Sequence, residues 1–281
     1  VAFRDYYGFR PLMIGSNDDT AIVASENPAI EILDIDNYRD IEAGEIVVID
    51  NNGIKSYPSK KNIEQKHCIF ESIYTARPDA NIGNVNSYMF RRACGEVLYR
   101  QSPIDADLIC PVPDSGTPSA IGFAQEAGIP FAAGLVKNRY MGRTFIKPSQ
   151  KERDLAVKLK LNPQKSVIDG KRIVLVDDSI VRGTTSAKLI KRMRKAGAKE
   201  VHFRVSSPAF KYPCHYGIDT PDKDKLIASK LSIEEIRKQI GADSLEFISL
   251  KNMMQLVDKP SSYCQACFTG NYPIDEEDLW I

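Results

Sequence analysis

Apolar positions in this chain change rhythm where a strand gives way to a helix. The clearest case is Arg172 to Ser186, R-I-V-L-V-D-D-S-I-V-R-G-T-T-S. Ile173 to Val176 form an unbroken apolar run fit for a buried parallel strand. A polar loop follows, and then Ala187, Ile190 and Met193 recur on one helical face, with Leu189 and Ala196 beside them. Gly197 stops that helix, and Val201 to Val205 predicts the next strand. Upstream, Val85 to Arg100 predicts a helix with Met89, Phe90, Ala93, Val97 and Leu98 apolar, and Ile69 to Tyr74 a short strand. Ala106 to Pro113 predicts a strand, followed by a turn and a helix to Gly128. Downstream, Ser232-Ile233-Glu234-Glu235 is a capping-box start for a helix ending at Gly241. Strands alternating with helices predict an α/β fold with a parallel sheet.

The first 60 residues are patterned differently. Pro11 to Gly15, Ala21 to Ser25 and Glu45 to Asp50 predict strands, and Asn51-Asn52-Gly53 is a strong turn signal. Residues 58 to 67, P-S-K-K-N-I-E-Q-K-H, carry no periodic apolar face and predict a linker, with His67 solvated. The expected organisation is therefore a small β-rich unit over 1–60, a linker over 61–67 and an α/β domain over 68–281. Lys plus Arg number 38 and Asp plus Glu 37, a net charge of +1, which argues against a general nucleic-acid or membrane-surface role. No apolar run approaches the roughly 18 residues of a spanning helix, and the first residues do not read as a signal peptide. Six cysteines in 281 residues are too sparse for a disulfide scaffold and suit a reducing, cytoplasmic compartment.

Candidate chemistry collects at the strand-to-helix turns. In the Asp177–Thr185 loop, Gly183 permits close backbone approach, Thr184 and Thr185 add hydroxyls, and the helix start offers free N–H groups to an anion. That end suits a terminal phosphate. Asp177 and Asp178 would repel it, so they suit ribose hydroxyls, a divalent metal or a developing cation. Together the two ends describe a ribose 5-phosphate; complementing a helix N-terminus is the plainer account of the acids. One unit earlier, Asp114, Ser115 and Gly116 form a second turn whose amides can cradle a pyrophosphate, although a type I turn with an N-cap explains the same letters. Lys137 to Arg153, K-N-R-Y-M-G-R-T-F-I-K-P-S-Q-K-E-R, holds six basic residues and one acid. It reads as a solvated loop or as a lid over a polyanion. Near the end, Cys264-Gln265-Ala266-Cys267 can share one metal, with Cys68 and Cys214 in loop-like stretches as further ligands. Cys94 and Cys110 fall on apolar elements and read as core. Spacing alone leaves a zinc site and an iron–sulfur cluster both open, and a redox dithiol would need a strand before the pair and a helix at it.

These motifs resemble a known family. V-L-V-D-D-S-I-V-R-G-T-T resembles the phosphoribosyl pyrophosphate signature of type I phosphoribosyltransferases, and its S-I-V-R-G-T-T form is closest to the glutamine amidophosphoribosyltransferases of purine biosynthesis. K-N-R-Y-M-G-R-T-F-I resembles that family's catalytic loop, and R-D-Y-Y-G-F-R-P-L the closing part of its glutaminase domain, an N-terminal-nucleophile fold. The resemblance implies a type I phosphoribosyltransferase sheet flanked by helices, preceded by a β-rich glutaminase remnant. Residue 1 is Val, where the family's glutaminase nucleophile would be a mature N-terminal cysteine, so most of that domain is expected to be missing and glutamine hydrolysis with it. The implied reaction transfers ammonia, from glutamine in the intact enzyme, to C1 of phosphoribosyl pyrophosphate. The resemblance assigns Lys137, Tyr140 and Arg143 to pyrophosphate contact and closure. It assigns Asp114, Ser115, Gly116, Asp177, Asp178, Ser179, Arg182, Gly183, Thr184 and Thr185 to substrate binding, and Ser115, Asp177 and Asp178 to Mg2+. One branch of the family carries a structural [4Fe–4S] cluster in motifs present here, which implies Cys68, Cys214, Cys264 and Cys267 as its ligands. Inhibition by purine nucleotides and a homo-oligomer, commonly a tetramer, are implied as well.

Two other readings compete. A ligand-sensing regulator on the same fold would need a DNA-binding module, and no helix-turn-helix pattern is found. A salvage phosphoribosyltransferase would need a base-recognition hood and has no use for the remnant or the cysteine set.

Overall fold

Antiparallel pairing organises the N-terminal stretch of the structure, a computed structural model that describes residues 1–59, 64–138 and 161–274. Strands β1 (Ala2–Phe3), β5 (Ile46–Asp50) and β6 (Gly53–Tyr57) form one sheet in the order β1-β5-β6. Strands β2 (Met13–Ser16), β3 (Ala21–Ala24) and β4 (Tyr38–Asp40) form another in the order β3-β2-β4. Asp50 pairs with Gly53 at φ +105°, a conformation that favours glycine, so Asn51 and Asn52 close a hairpin as the sequence predicts. Ile14, Ile41 and Val47 form one small core; Met13, Ile30 and Ile35 form a second.

Glu45 locks the first sheet. Its carboxylate accepts two bonds from Arg39 (2.8 and 2.6 Å), one from Ser56 Oγ (2.6 Å) and one from the Glu42 amide (2.6 Å). The Arg39 bonds hold its pKa down at about 2. A depressed carboxyl contributes stability above its unfolded pKa that is lost as pH falls through the folded one. Glu45→Gln is therefore expected to destabilise the chain at pH 7 by about 1–2 kcal/mol, discounted because Arg39 is half-exposed, and to change little near pH 2. Urea unfolding at both pH values measures it.

The next segment departs from expectation. His67 is buried rather than solvated, with Nδ1 3.4 Å from the Arg4 guanidinium, and burial together with the Arg4 charge lowers its pKa to about 4. Strand β7 (His67–Cys68) stands where a linker and a loop were expected. Ile69 to Thr75 is helical, ending in a π-helical turn over Glu71–Thr75, not a strand. Ile69 to Ile73 are all buried, which one face of a strand cannot achieve, so tertiary burial overrides β propensity. Val85 and Asn86, expected in a helix, form β9 (Val85–Asn86), which pairs with β8 (Asn81–Ile82). The helix begins two residues later.

The α/β region carries a four-stranded parallel sheet in the order β10-β13-β14-β15. These are β10 (Leu108–Pro111), β13 (Arg172–Asp177), β14 (Glu200–Val205) and β15 (Ser244–Phe247), and Phe131 adds a parallel bridge to Ile109 on the outer side of β10. Strands β11 (Leu135–Lys137) and β12 (Leu161–Pro163) pair antiparallel beside it. Alternate strand residues, among them Cys110, Leu175 and Phe203, share one core with Leu189, Ile190 and Met193 of the helix Thr184–Lys195 and Ile236 and Ile240 of the helix Ile233–Ile240. Ser232 caps that last helix in a full capping box, and Gly241 ends it at φ +78°. Two other helices, Ser87–Gln101 and Thr117–Ala127, meet through glycines. A Cβ on Gly95 would lie 1.9 Å from Ser119 O, and one on Gly122 2.0 Å from Arg92 O.

The chain then returns through β16 (Tyr263–Cys264), which pairs in parallel with β7, and the short helix Ala266–Thr269. Two compact units result: Val1–Phe90 with Tyr212–Thr220 and Met254–Ile281, and Arg91–Lys211 with Pro221–Met253. They cut the chain differently from the contiguous division read from sequence. No helix among the described residues is long and apolar enough to cross a membrane.

Candidate active site

The parallel sheet reverses its winding between β10 and β13. From β10 the chain passes through the helix Thr117–Ala127 to Phe131 on one side; from β13 it passes through the helix Thr184–Lys195 to β14 on the other. The loops leaving these adjacent strands diverge and open a crevice at their carboxyl ends, where α/β sheets take ligands.

Both helices at that crevice start on glycine with no side-chain cap, Gly116 for one and Gly183 for the other. The capped helix at Ser232 shows the alternative. First-turn N–H groups without a side-chain acceptor favour an anion. Neither glycine can be enlarged. A Cβ on Gly116 would approach Val176 O at 2.5 Å, and Gly183 has φ +73° with Ile227 Cδ1 2.6 Å from any Cβ.

Between the two helix starts lies the acid pair at the end of β13. Asp178 is buried, and its Oδ1 accepts from Ser179 Oγ at 2.5 Å. Ser115 also hydrogen-bonds its carboxylate, joining the two loops. Asp177 Oδ1 accepts from the Asp178 amide (3.0 Å). Loss of water and the neighbouring charge push the Asp177 carboxyl up; loss of water does the same to Asp178, partly offset by Ser115, Ser179 and the Arg91 charge. Two carboxyls held this way invite a divalent cation or hydroxyl donors, and an all-oxygen set with Ser115 suits magnesium.

Asp114 is exposed and paired with Lys137 at the end of β11, across the peptide bond Pro113–Asp114, which is cis. Arg182, Thr184 and Thr185 are exposed at the other loop, with Asp222 and Lys225 in electrostatic reach of Arg182. Tyr140 and Arg143 lie outside the described residues.

Sequence reasoning missed the support beneath the pair. Ser119 Oγ donates to Arg91 O and meets Ser206 Oγ, both at 2.9 Å; the Ser206 amide and hydroxyl donate to Asp177 O at 2.9 and 3.3 Å. Ser119, Ser206 and Arg91 are all buried. Only a serine inside an apolar helix and a basic residue in an apolar stretch marked them, and neither signal is specific.

The cysteines gather elsewhere, in the first compact unit. Cys68 faces Cys264 in the β7–β16 register, and Cys267 lies in electrostatic reach of Cys68, Cys214 and Cys264. Burial raises the thiols, to about 12 for Cys68 and about 11 for Cys264. Peptide N–H groups point at sulfur, as from Tyr216 to Cys214 Sγ (3.3 Å). Cys68 lies on a short strand rather than in a loop; Cys264 ends β16 and Cys267 lies in the helix Ala266–Thr269, so the pair has the strand and helix that a redox dithiol would need. Among the described residues no three His, Cys, Asp or Glu side chains stand in metal-holding geometry. Cys94 and Cys110 are core residues.

A switch-point crevice with an acid pair between two anion-ready helix starts is the architecture of a type I phosphoribosyltransferase. Residues 95–228 match the phosphoribosyl transferase domain. The chain is 48% identical over 283 residues to amidophosphoribosyltransferase 1, chloroplastic, of Arabidopsis thaliana, covering 100% of this chain and 50% of that protein. It is 48% identical over 282 residues to the amidophosphoribosyltransferase of Synechocystis sp., covering 99% of this chain and 57% of that one. The solved glutamine phosphoribosylpyrophosphate amidotransferase from B. subtilis, complexed with ADP and GMP, superposes with a TM-score of 0.87 at 46% identity, covering 96% of this chain and 60% of that one. The chain belongs to the amidophosphoribosyltransferase family, and it spans about half to three-fifths of the length of these relatives.

Proposed function

We propose that this chain carries the acceptor half of an amidophosphoribosyltransferase, joining ammonia to C1 of phosphoribosyl pyrophosphate. The observation that carries the reading is the acid pair flanked by two uncapped, glycine-started helices. Arg182, Gly183, Thr184 and Thr185 hold the 5-phosphate. Ser115 and Gly116, with Lys137 released from Asp114, hold the pyrophosphate, and Tyr140 and Arg143 close over it. Asp177, Asp178 and Ser179 hold the ribose. The nitrogen lone pair forms the bond to C1 as the C1–oxygen bond breaks, pyrophosphate departs with that electron pair, and the nitrogen sheds a proton. The transition state is carbocation-like, so carboxylate charge and fixed positioning do the work, with no covalent nucleophile. Mg2+, normal for phosphoribosyltransferases, would be held by Ser115, Asp177 and Asp178 and would neutralise the leaving pyrophosphate.

A [4Fe–4S] cluster on Cys68, Cys214, Cys264 and Cys267 rests on the resemblance, supported by the electrostatic reach of Cys267 to the other three thiols; as the described residues stand they do not form a metal-holding group. The division into 1–60 glutaminase remnant, 61–67 linker and 68–281 transferase rests on resemblance. So do glutamine as the ammonia source in the longer enzyme, inhibition by purine nucleotides, a homotetramer and a cytoplasmic location. Plant relatives are named chloroplastic.

The test is pyrophosphate release from phosphoribosyl pyrophosphate and Mg2+ under anaerobic conditions. Ammonium is expected to support it and glutamine not. Release with a free nucleobase instead would overturn the reading in favour of salvage.

A further inference from the structure

A cavity of about 230 Å3 lies within the first compact unit, the room of roughly eight waters at ~30 Å3 each. His67 and Tyr263, register partners across β7 and β16, set two rings into its wall with centroids 5.7 Å apart. Arg4 backs His67. Its guanidinium donates to the carbonyls of Gly8, Arg10 and Ile41 and meets His67 Nδ1 at 3.4 Å. A guanidinium only donates, so Nδ1 accepts and the neutral ring carries its proton on Nε2. His67 is 8% exposed, and among the described residues Nε2 has no partner. Gly83, a lining residue at φ +58°, leaves the space beside Nε2 clear: a Cβ there would stand 3.3 Å away. At the rim, Glu42 and Asp258 are exposed carboxylates, and Lys259 is paired with Glu64 at 3.4 Å.

Wall and rim ask for opposite charges. A buried N–H donor without a partner calls for an oxygen acceptor, and the Arg4 charge behind the ring favours an anionic one. The rim carboxylates favour a cation. A simple cation would meet the Nε2–H and the Arg4 charge; a simple anion would meet Glu42, Asp258 and the partly buried Asp40, which Arg4 faces at 4.0 Å. We propose that the cavity binds a free amino acid, whose carboxylate accepts from His67 Nε2–H and whose ammonium sits between Glu42 and Asp258. The site shares no residue with the crevice at the ends of β10 and β13.

Three probes separate the two ends: L-alanine carries both, propionate only the carboxylate and ethylamine only the ammonium. In isothermal titration of the chain, L-alanine is expected to bind with a dissociation constant of about 1 mM, and each half-probe about tenfold more weakly, the loss of one charged contact. Asp258→Asn, at an exposed rim position, should weaken L-alanine about tenfold and leave propionate unmoved. Gly83→Ala, which covers Nε2, should weaken L-alanine and propionate and spare ethylamine. Should that variant fail to fold, Asp258→Asn still decides. A half-probe that binds as tightly as L-alanine would overturn the proposal. So would an Asp258→Asn chain that binds L-alanine like the parent, or no heat of binding at about ten times the expected constant. Binding is read without turnover, so the result is independent of the ammonium assay.

Discussion

Asp178→Asn is expected to move activity and stability in opposite directions. The carboxylate is buried at the end of β13, where loss of water raises its pKa. An amide has the same outline and can still accept from Ser115 and Ser179, but it lacks the charge that the proposed reaction asks of this position. Removing one fixed electrostatic contact from a transition state typically lowers turnover by about 100- to 1,000-fold. Ammonium-dependent pyrophosphate release should fall by that order. The burial penalty on the charge disappears at the same time, so the urea midpoint should hold or rise, the usual exchange at a site kept strained for function. A variant that loses activity and stability together would make Asp178 a structural residue.

Gly122→Ala is expected to have the largest effect on stability. The methyl group would meet the backbone carbonyl of Arg92 at 2.0 Å, and backbone cannot swing aside as a side-chain tip can. Gly95 makes the reciprocal contact with Ser119 O at 1.9 Å, so the two helices approach through both glycines and must separate to admit a carbon. Overpacking typically costs about 1–3 kcal/mol and more where backbone must shift; about 3 kcal/mol is expected here. At this size that lowers the thermal midpoint by roughly 6–12 °C. The same seam carries the Ser119–Ser206–Asp177 bridge, so the residual folded protein should also bind phosphoribosyl pyrophosphate more weakly. Calorimetry and an anaerobic binding titration measure the two effects.

The sequence made the central loop readable because its signals are local. Ile173 to Val176 are consecutive, Gly183 sits where φ is +73°, and the Ser232–Glu235 box closes within four residues. The family could be recognised for the same reason, since its motifs are contiguous. The rest was hidden by distance. His67 is buried because Arg4, 63 residues earlier, reaches its ring. Glu71 lies inside a buried helical turn because Arg10 meets it at 2.6 Å, and a strand-like I-F-E-S-I-Y pattern gives no sign of that. Ser119 and Ser206 are 87 residues apart and carry no motif. Gly95 and Gly122 looked like unremarkable helix glycines until a second helix stood against them.

The parallel pairing of His67–Cys68 with Tyr263–Cys264 bears on the order in which the protein can be made. Lys66 Nζ reaches Ser261 O across 195 residues of chain, and the whole Arg91–Lys211 segment is threaded between the two partners. During synthesis the parallel sheet of the second unit can assemble while the ribosome is still translating, since its strands follow one another. The first unit cannot close until residue 264 has emerged, because its last strand arrives after nearly everything else. Loop closure over such a span is slow and leaves Cys68 without its strand partner until Cys264 has followed it. A chain truncated and released at residue 258 should therefore show a protease-resistant second unit and a protease-sensitive N-terminus.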